Sequence, residues 1–105
     1  MEQGSEPLTV EAGSDGNAGQ ITVGGELDVH TATTLSDAVN ALFEQGVSTI
    51  VIDASGLRFC DSSGIQVLVQ ARERALEAGG SVTITGVHGA VEKVLTVTGL
   101  LELFS

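Results

Sequence analysis

The residues best placed to do chemistry in this chain are the two adjacent hydroxyls of Leu57-Arg58-Phe59-Cys60-Asp61-Ser62-Ser63-Gly64-Ile65, set between an apolar strand-like run and an amphipathic helical one. A serine at that junction can carry a phosphate. It stands where a helix opens and backbone N–H groups lack intrahelical partners, on surface that the fold has no need to bury, so a small covalent change rewrites a binding face. The same residues also support a purely local reading in which Asp61 or Ser62 caps the helix, since both types are favoured there. Hydrolysis would require a base beside the serine. The histidines are His30 and His88, but the serines do not stand in G-x-S-x-G, and His30 near a helix start and His88 in a loop read as surface or capping residues.

Other chemistries find less support. Gly24-Gly25 and Gly86-Val87-His88-Gly89 each follow a strand-like run, yet neither forms G-x-G-x-x-G or G-x-x-x-x-G-K-[ST], and both read as turn glycines. The acids are dispersed and no Cys/His cluster exists, so neither a metal site nor a cofactor is expected. Cys60 is the only cysteine, which excludes an internal disulfide and fits a reducing, intracellular setting. Following Phe59 in an apolar run, it reads as a packed, unreactive thiol.

Composition sets the class of partner. The formal charge is −10, with Arg58, Arg72, Arg74 and Lys93 as the strong cations, which opposes nucleic acid and anionic membranes and favours basic partners. Three Phe and no Trp or Tyr leave an aliphatic core and little to stack on bases or sugars. The 105 residues suit one domain, and no apolar stretch approaches the roughly 20 residues of a membrane span. Met1 to Glu6 lacks the pattern of a signal peptide, so the expected location is cytoplasmic, with residues 1–7 as a flexible N-terminus and 8–105 as the domain.

The elements that must position the serines follow from periodicity. Leu8 to Glu11 and Gln20 to Val23 are β-prone, separated by the polar, Gly-rich Ala12–Gly19, which predicts a hairpin with a mobile loop. Ala32, Leu35, Ala38, Val39 and Leu42 recur at helical spacing between a Thr31 cap and a Gly46 stop. Val47 to Asp53 is a nearly continuous β-branched run, which predicts a central strand covered on both faces. The next helix starts at Ser62 or Ser63 and runs to Ala78, and its apolar arc of about 200° exceeds the roughly 100° that faces a core. The flank of Ile65, Val69, Arg72 and Leu76 is therefore expected to be partly exposed and open to a partner or a neighbouring helix. Val82–Thr85 predicts a strand, Val91, Val94 and Leu95 a third helix closed by Gly99, and Leu100–Phe104 a short strand or packing segment. Such alternation predicts an α/β fold: an N-terminal β-hairpin and a mixed, mostly parallel sheet flanked by helices.

Gly25-Glu26-Leu27-Asp28 with Thr31-Ala32, Ile50-Val51-Ile52-Asp53 with Gly56-Leu57, Asp61-Ser62-Ser63-Gly64-Ile65, and Gly99-Leu100 together resemble the STAS domain of anti-sigma factor antagonists, over nearly the whole chain from Leu8. The resemblance implies a bacterial partner-switching protein that is not an enzyme. In it the second serine of D-S-S-G, here Ser63, accepts the phosphate, with Asp61, Ser62 and Gly64 as its setting, and Asp28 falls in a loop near the kinase-docking surface. The unphosphorylated form would bind an anti-sigma factor that is also the serine kinase, releasing the sigma factor. Phosphorylation would end binding and a PP2C-type phosphatase restore it. Cys60, where an apolar residue such as Met is common, and Gln66, where a small residue often sits, depart from the pattern. The alternatives are a non-catalytic STAS scaffold in a stressosome-like or transporter-associated complex and, more remotely, a serine hydrolase; a homodimer is left open.

Overall fold

Residues 7–104 are described by the structure, a computed structural model, so the expected flexible N-terminus lies, Pro7 apart, outside the described residues. Thr9–Asp15 (β1) and Ala18–Leu27 (β2) pair antiparallel, with Asp15 opposite Ala18. The stretch expected as a mobile loop, Ala12–Gly19, is thus mostly ladder, and only Gly16-Asn17 turns. Polar side chains do not weaken backbone pairing, and Gly16 at φ +65° supplies the positive first position that a two-residue turn of matching twist requires.

Ala32–Glu44 forms α1, Thr49–Cys60 β3, Ser62–Glu77 α2, Ser81–Thr85 β4 and Gly89–Val97 α3. The sheet order is β1-β2-β3-β4, and β3 runs parallel to both neighbours, in the middle as expected. Gly24-Gly25 does not turn. The pair continues β2 through register shifts, because Gly25 at φ +96° lies under the Pro7 carbonyl, where no Cβ fits.

All three helices contribute to one apolar core on one side of the sheet. Ile21, Ile50, Ile52 and Val82 meet Leu35 and Val39 of α1, Leu68 and Ala75 of α2, and Val91 and Leu95 of α3. The other face carries three in-register rows: Glu11, Thr22, Asp53 and Thr85; Gly13, Gln20, Val51 and Thr83; and Asp15, Ala18, Thr49 and Ser81. The expectation that β3 is covered on both faces is therefore corrected, since Val51 is 37% exposed. Val and Thr suit a pleated surface whether or not it is buried, so a β-branched run does not by itself distinguish one covered face from two.

The last described residues form a 3-10 turn, Leu101–Phe104, in place of the short strand considered for that segment. It sinks Phe104 into the core at 1% exposure, and Arg72 Nε of α2 donates to the Leu103 carbonyl at 3.2 Å. The strands and helices of the aliphatic core meet without another fully buried aromatic, so this ring fills space that smaller side chains leave. Phe104→Ala is expected to cost about 3 to 5 kcal/mol, read as a lower urea midpoint at unchanged slope. A loss under about 1 kcal/mol would show that the turn merely covers the core.

Candidate functional site

The carboxyl ends of β2 and β3 are joined where α2 begins. Asp61 donates its N–H to the Leu27 carbonyl at 3.1 Å, and its own carbonyl accepts from the Ile65 N–H at 3.0 Å. Its carboxylate Oδ1 accepts from the Ser63 N–H at 2.9 Å and the Gly64 N–H at 3.2 Å. Asp61 is thus the helix cap, and two of the N–H groups expected to be open to a phosphate are held by a carboxylate. Ser62 is exposed and Ser63 half-buried, side by side in the first turn.

Gly64 fits this turn for lack of a side chain. A Cβ there would stand 2.6 Å from Leu27 Cγ and 2.9 Å from Cys60 Sγ, so α2 closes directly onto the ends of the two strands. Cys60 is buried, as expected of a packed thiol. Desolvation, and then the neighbouring Asp61 charge, push its pKa up to about 11.

Asp28 faces inward. Its Oδ1 accepts from the His30 N–H at 2.9 Å and the Thr31 N–H at 3.1 Å, and the residue is only 9% exposed. Thr31 occupies the cap position of α1, but its hydroxyl accepts from the Asp28 N–H at 2.9 Å and donates to the Glu26 carbonyl at 2.8 Å, so it locks the turn and leaves the helix N–H groups alone. What this turn presents outward is Val29, 64% exposed, with the exposed His30 beside it in sequence.

A second apolar side chain stands at the same end. Leu57 pairs with Gly25 and Phe59 with Glu26, so Arg58 is the extra residue of a bulge. Bulges re-aim side chains. This one leaves Phe59 43% exposed while Leu57 and Cys60 stay buried. Neither Val29 nor Phe59 was singled out from the sequence as a site residue; the available signal was the run Leu57-Arg58-Phe59-Cys60, whose apolar positions break a strict two-residue alternation.

The α2 flank divides. Ile65 and Val69 are half-buried and pack on the core, Arg72 is engaged with Leu103, and Leu76 is 50% exposed. Leu76 lies about 20 Å along the helix from Ser63 at 1.5 Å per residue, so only the Ile65 end adjoins the serines. His88 Nε2 meets the Ser55 carbonyl at 2.8 Å, and Asp53 accepts from the Ser55 N–H at 3.0 Å, an interaction that, with the Ser55 hydroxyl, lowers the Asp53 pKa. This Asp-Ser-His trio activates nothing, because the ring addresses a carbonyl and not the hydroxyl. Among the described residues, no group of three or more His, Cys, Asp or Glu is arranged to hold a metal, and no helix is long and apolar enough to cross a membrane.

Two outcomes are expected. Gly64→Ala should destabilise by about 1 to 3 kcal/mol through overpacking, although Ala is the better helix former; a stabilised variant would refute the close fit. At pH 8 the folded chain holds about a hundredfold less Cys60 thiolate than a free thiol of pKa 9.0 would, so labelling by a maleimide should be slow until denaturant is added. Because the folded pKa is the higher one, the corresponding stability is present below pH 9 and lost as pH rises toward 11.

Comparison with known proteins bears on this geometry. A family model described as "Mlab, STAS domain" matches residues 10–104. An anti-sigma-B factor antagonist of Staphylococcus aureus is 25% identical over 96 residues, covering 91% of this chain and 89% of that protein. Among solved structures, an anti-sigma factor antagonist from Mycobacterium paratuberculosis is 27% identical with a TM-score of 0.76, covering 92% of this chain and 82% of that one. The anti-sigma factor antagonist SpoIIAA in its unphosphorylated form is 28% identical with a TM-score of 0.75, covering 90% and 84%. Its phosphorylated Bacillus form is 26% identical with a TM-score of 0.68, covering 91% and 86%.

Proposed function

The chain belongs to the STAS domain family, together with anti-sigma factor antagonists, and from that premise we propose that it binds an anti-sigma factor and is switched off by phosphorylation at Ser63. As an antagonist it acts by binding and not by catalysis. The observation that carries the reading is the Asp61-capped serine pair, Ser62 exposed and Ser63 half-buried, at the strand ends where Val29 and Phe59 are also exposed. The existence of a phosphorylated form of a neighbour in fold supports it.

The mechanism is one of charge in an interface. A phosphate carries about −1.5 to −2 charges. On Ser63 it would share the first turn of α2 with the Asp61 carboxylate, which already occupies the N–H groups of Ser63 and Gly64. The helix end favours an anion by about 0.3 to 1 kcal/mol and the neighbouring carboxylate opposes it, so the fold changes little in stability. A partner pressed onto Val29, Phe59 and Ile65 must desolvate both anions. Losing about 3 to 4 kcal/mol there weakens affinity several hundredfold. The partner supplies the kinase activity, a PP2C-type phosphatase resets the site, and the net charge of −10 steers a basic patch on the partner toward the chain.

Asp28 and Thr31 act in this scheme by holding Val29 out, so Asp28 is a positioning residue and Val29 the contact. Incubated with ATP and a cognate anti-sigma kinase, the wild-type chain should gain one phosphate by intact mass, mapped to Ser63, and Ser63→Ala should gain none. Ser63→Ala should bind that anti-sigma factor as wild type does and Ser63→Asp at least a hundredfold more weakly. Equal binding by Ser63→Asp would remove Ser63 from the switch.

A further inference from the structure

The sheet face opposite the helices has no partner within the described chain, although β3 is parallel to both neighbours and parallel sheets are usually covered on both sides. Across β1, β2 and β3 this face is a concave trough of about 690 Å3. Its floor is Gln20 and Thr22 of β2 with Val51 beside them on β3, and on the β1 side Gly13 leaves a side chain out between Glu11 and Asp15. The fold does not ask for glycine there. Gly13 is outside the left-handed region, and a Cβ on it would meet nothing within 4 Å. Glycine in a strand interior weakens the strand, and where neither conformation nor internal packing requires it, it fits a place that another chain approaches closely.

The geometry points to this trough as a docking site for a basic amphipathic helix of a partner protein. Two interstrand spacings make it about 10 Å wide, the diameter of a helix. Glu11 and Asp15 stand along the β1 rim and Asp53 on β3, while no Lys or Arg occurs in any of the three rows. Three of the four strong cations instead belong to the helical layer, Arg72 and Arg74 on α2 and Lys93 on α3. Glu11 and Asp15 are about 13 Å apart along the strand, which cations two turns apart on a helix lying along the trough can reach together. Val51 on β3 gives the apolar contact, across Gln20 from Gly13. This surface is separate from the Ser63 end, so one chain can hold two partners.

The test uses the 15N-labelled full chain and a synthetic amphipathic helix of lysine and leucine. Amide shifts should concentrate at Glu11–Asp15, Gln20–Thr22 and Val51–Asp53. Gly13→Tyr should weaken binding at least tenfold without lowering the unfolding midpoint. Glu11→Gln with Asp15→Asn should weaken it several-fold and flatten its salt dependence, while Ser63→Ala should leave it unchanged. Shifts spread over the helices, or equal binding by Gly13→Tyr, would reduce the effect to general attraction by an acidic protein and overturn the site. A wild-type dimer that Gly13→Tyr dissociates, in sedimentation without peptide, would make a second copy the occupant and overturn the basic partner.

Discussion

The Asp61 node holds the functional end of this molecule together. One residue ends β3, ties it to β2 through the Leu27 carbonyl, and starts α2 by capping the Ser63 and Gly64 N–H groups. Each bond satisfies a backbone group that would otherwise be orphaned at a strand or helix end. Gly64 makes the node compact enough for the helix to rest on Leu27 and Cys60. Because the cap is a carboxylate, the site has its negative charge before any modification. In the proposed switch, a phosphate added beside it would strengthen a charge already present, and its effect would fall on whatever must cover that charge.

The two turns that flank the node divide their work between shape and contact. Asp28 and Thr31 spend their polar atoms on each other and on the backbone of the β2–α1 turn, and the neighbouring Val29 faces solvent as a result. The bulge at Arg58 does the same for Phe59. Rigid polar chemistry underneath and apolar side chains on top is a sound way to present a binding surface, since the entropy of ordering it is already met in the free protein.

Much of the architecture was legible in the sequence because helical spacing and apolar runs report burial directly. α1 and α2 begin and end within a residue or so of the positions that Thr31, Gly46, Asp61 and Ala78 suggest. The hairpin was legible only in outline, because Gly-rich polar residues from Ala12 to Gly19 look like loop while their backbone pairs as ladder. The exposed face of β3 was not legible, since Val51 and Thr49 are as suited to a buried strand as to an open one. The inward turn of Asp28 and the outward turn of Phe59 depend on a local lock and a bulge, neither of which leaves a periodic trace.

The central claim is that phosphate acts on the interface and leaves the fold intact. Amide hydrogen exchange on the chain phosphorylated at Ser63, beside the unmodified chain, tests it most directly. The account predicts unchanged protection at Gly64, Ile65 and through α2, a global stability within about 1 kcal/mol, and lost binding to the anti-sigma factor in the same sample. Collapse of protection in the first turn of α2 would contradict it, and would place the switch in the Asp61 cap itself.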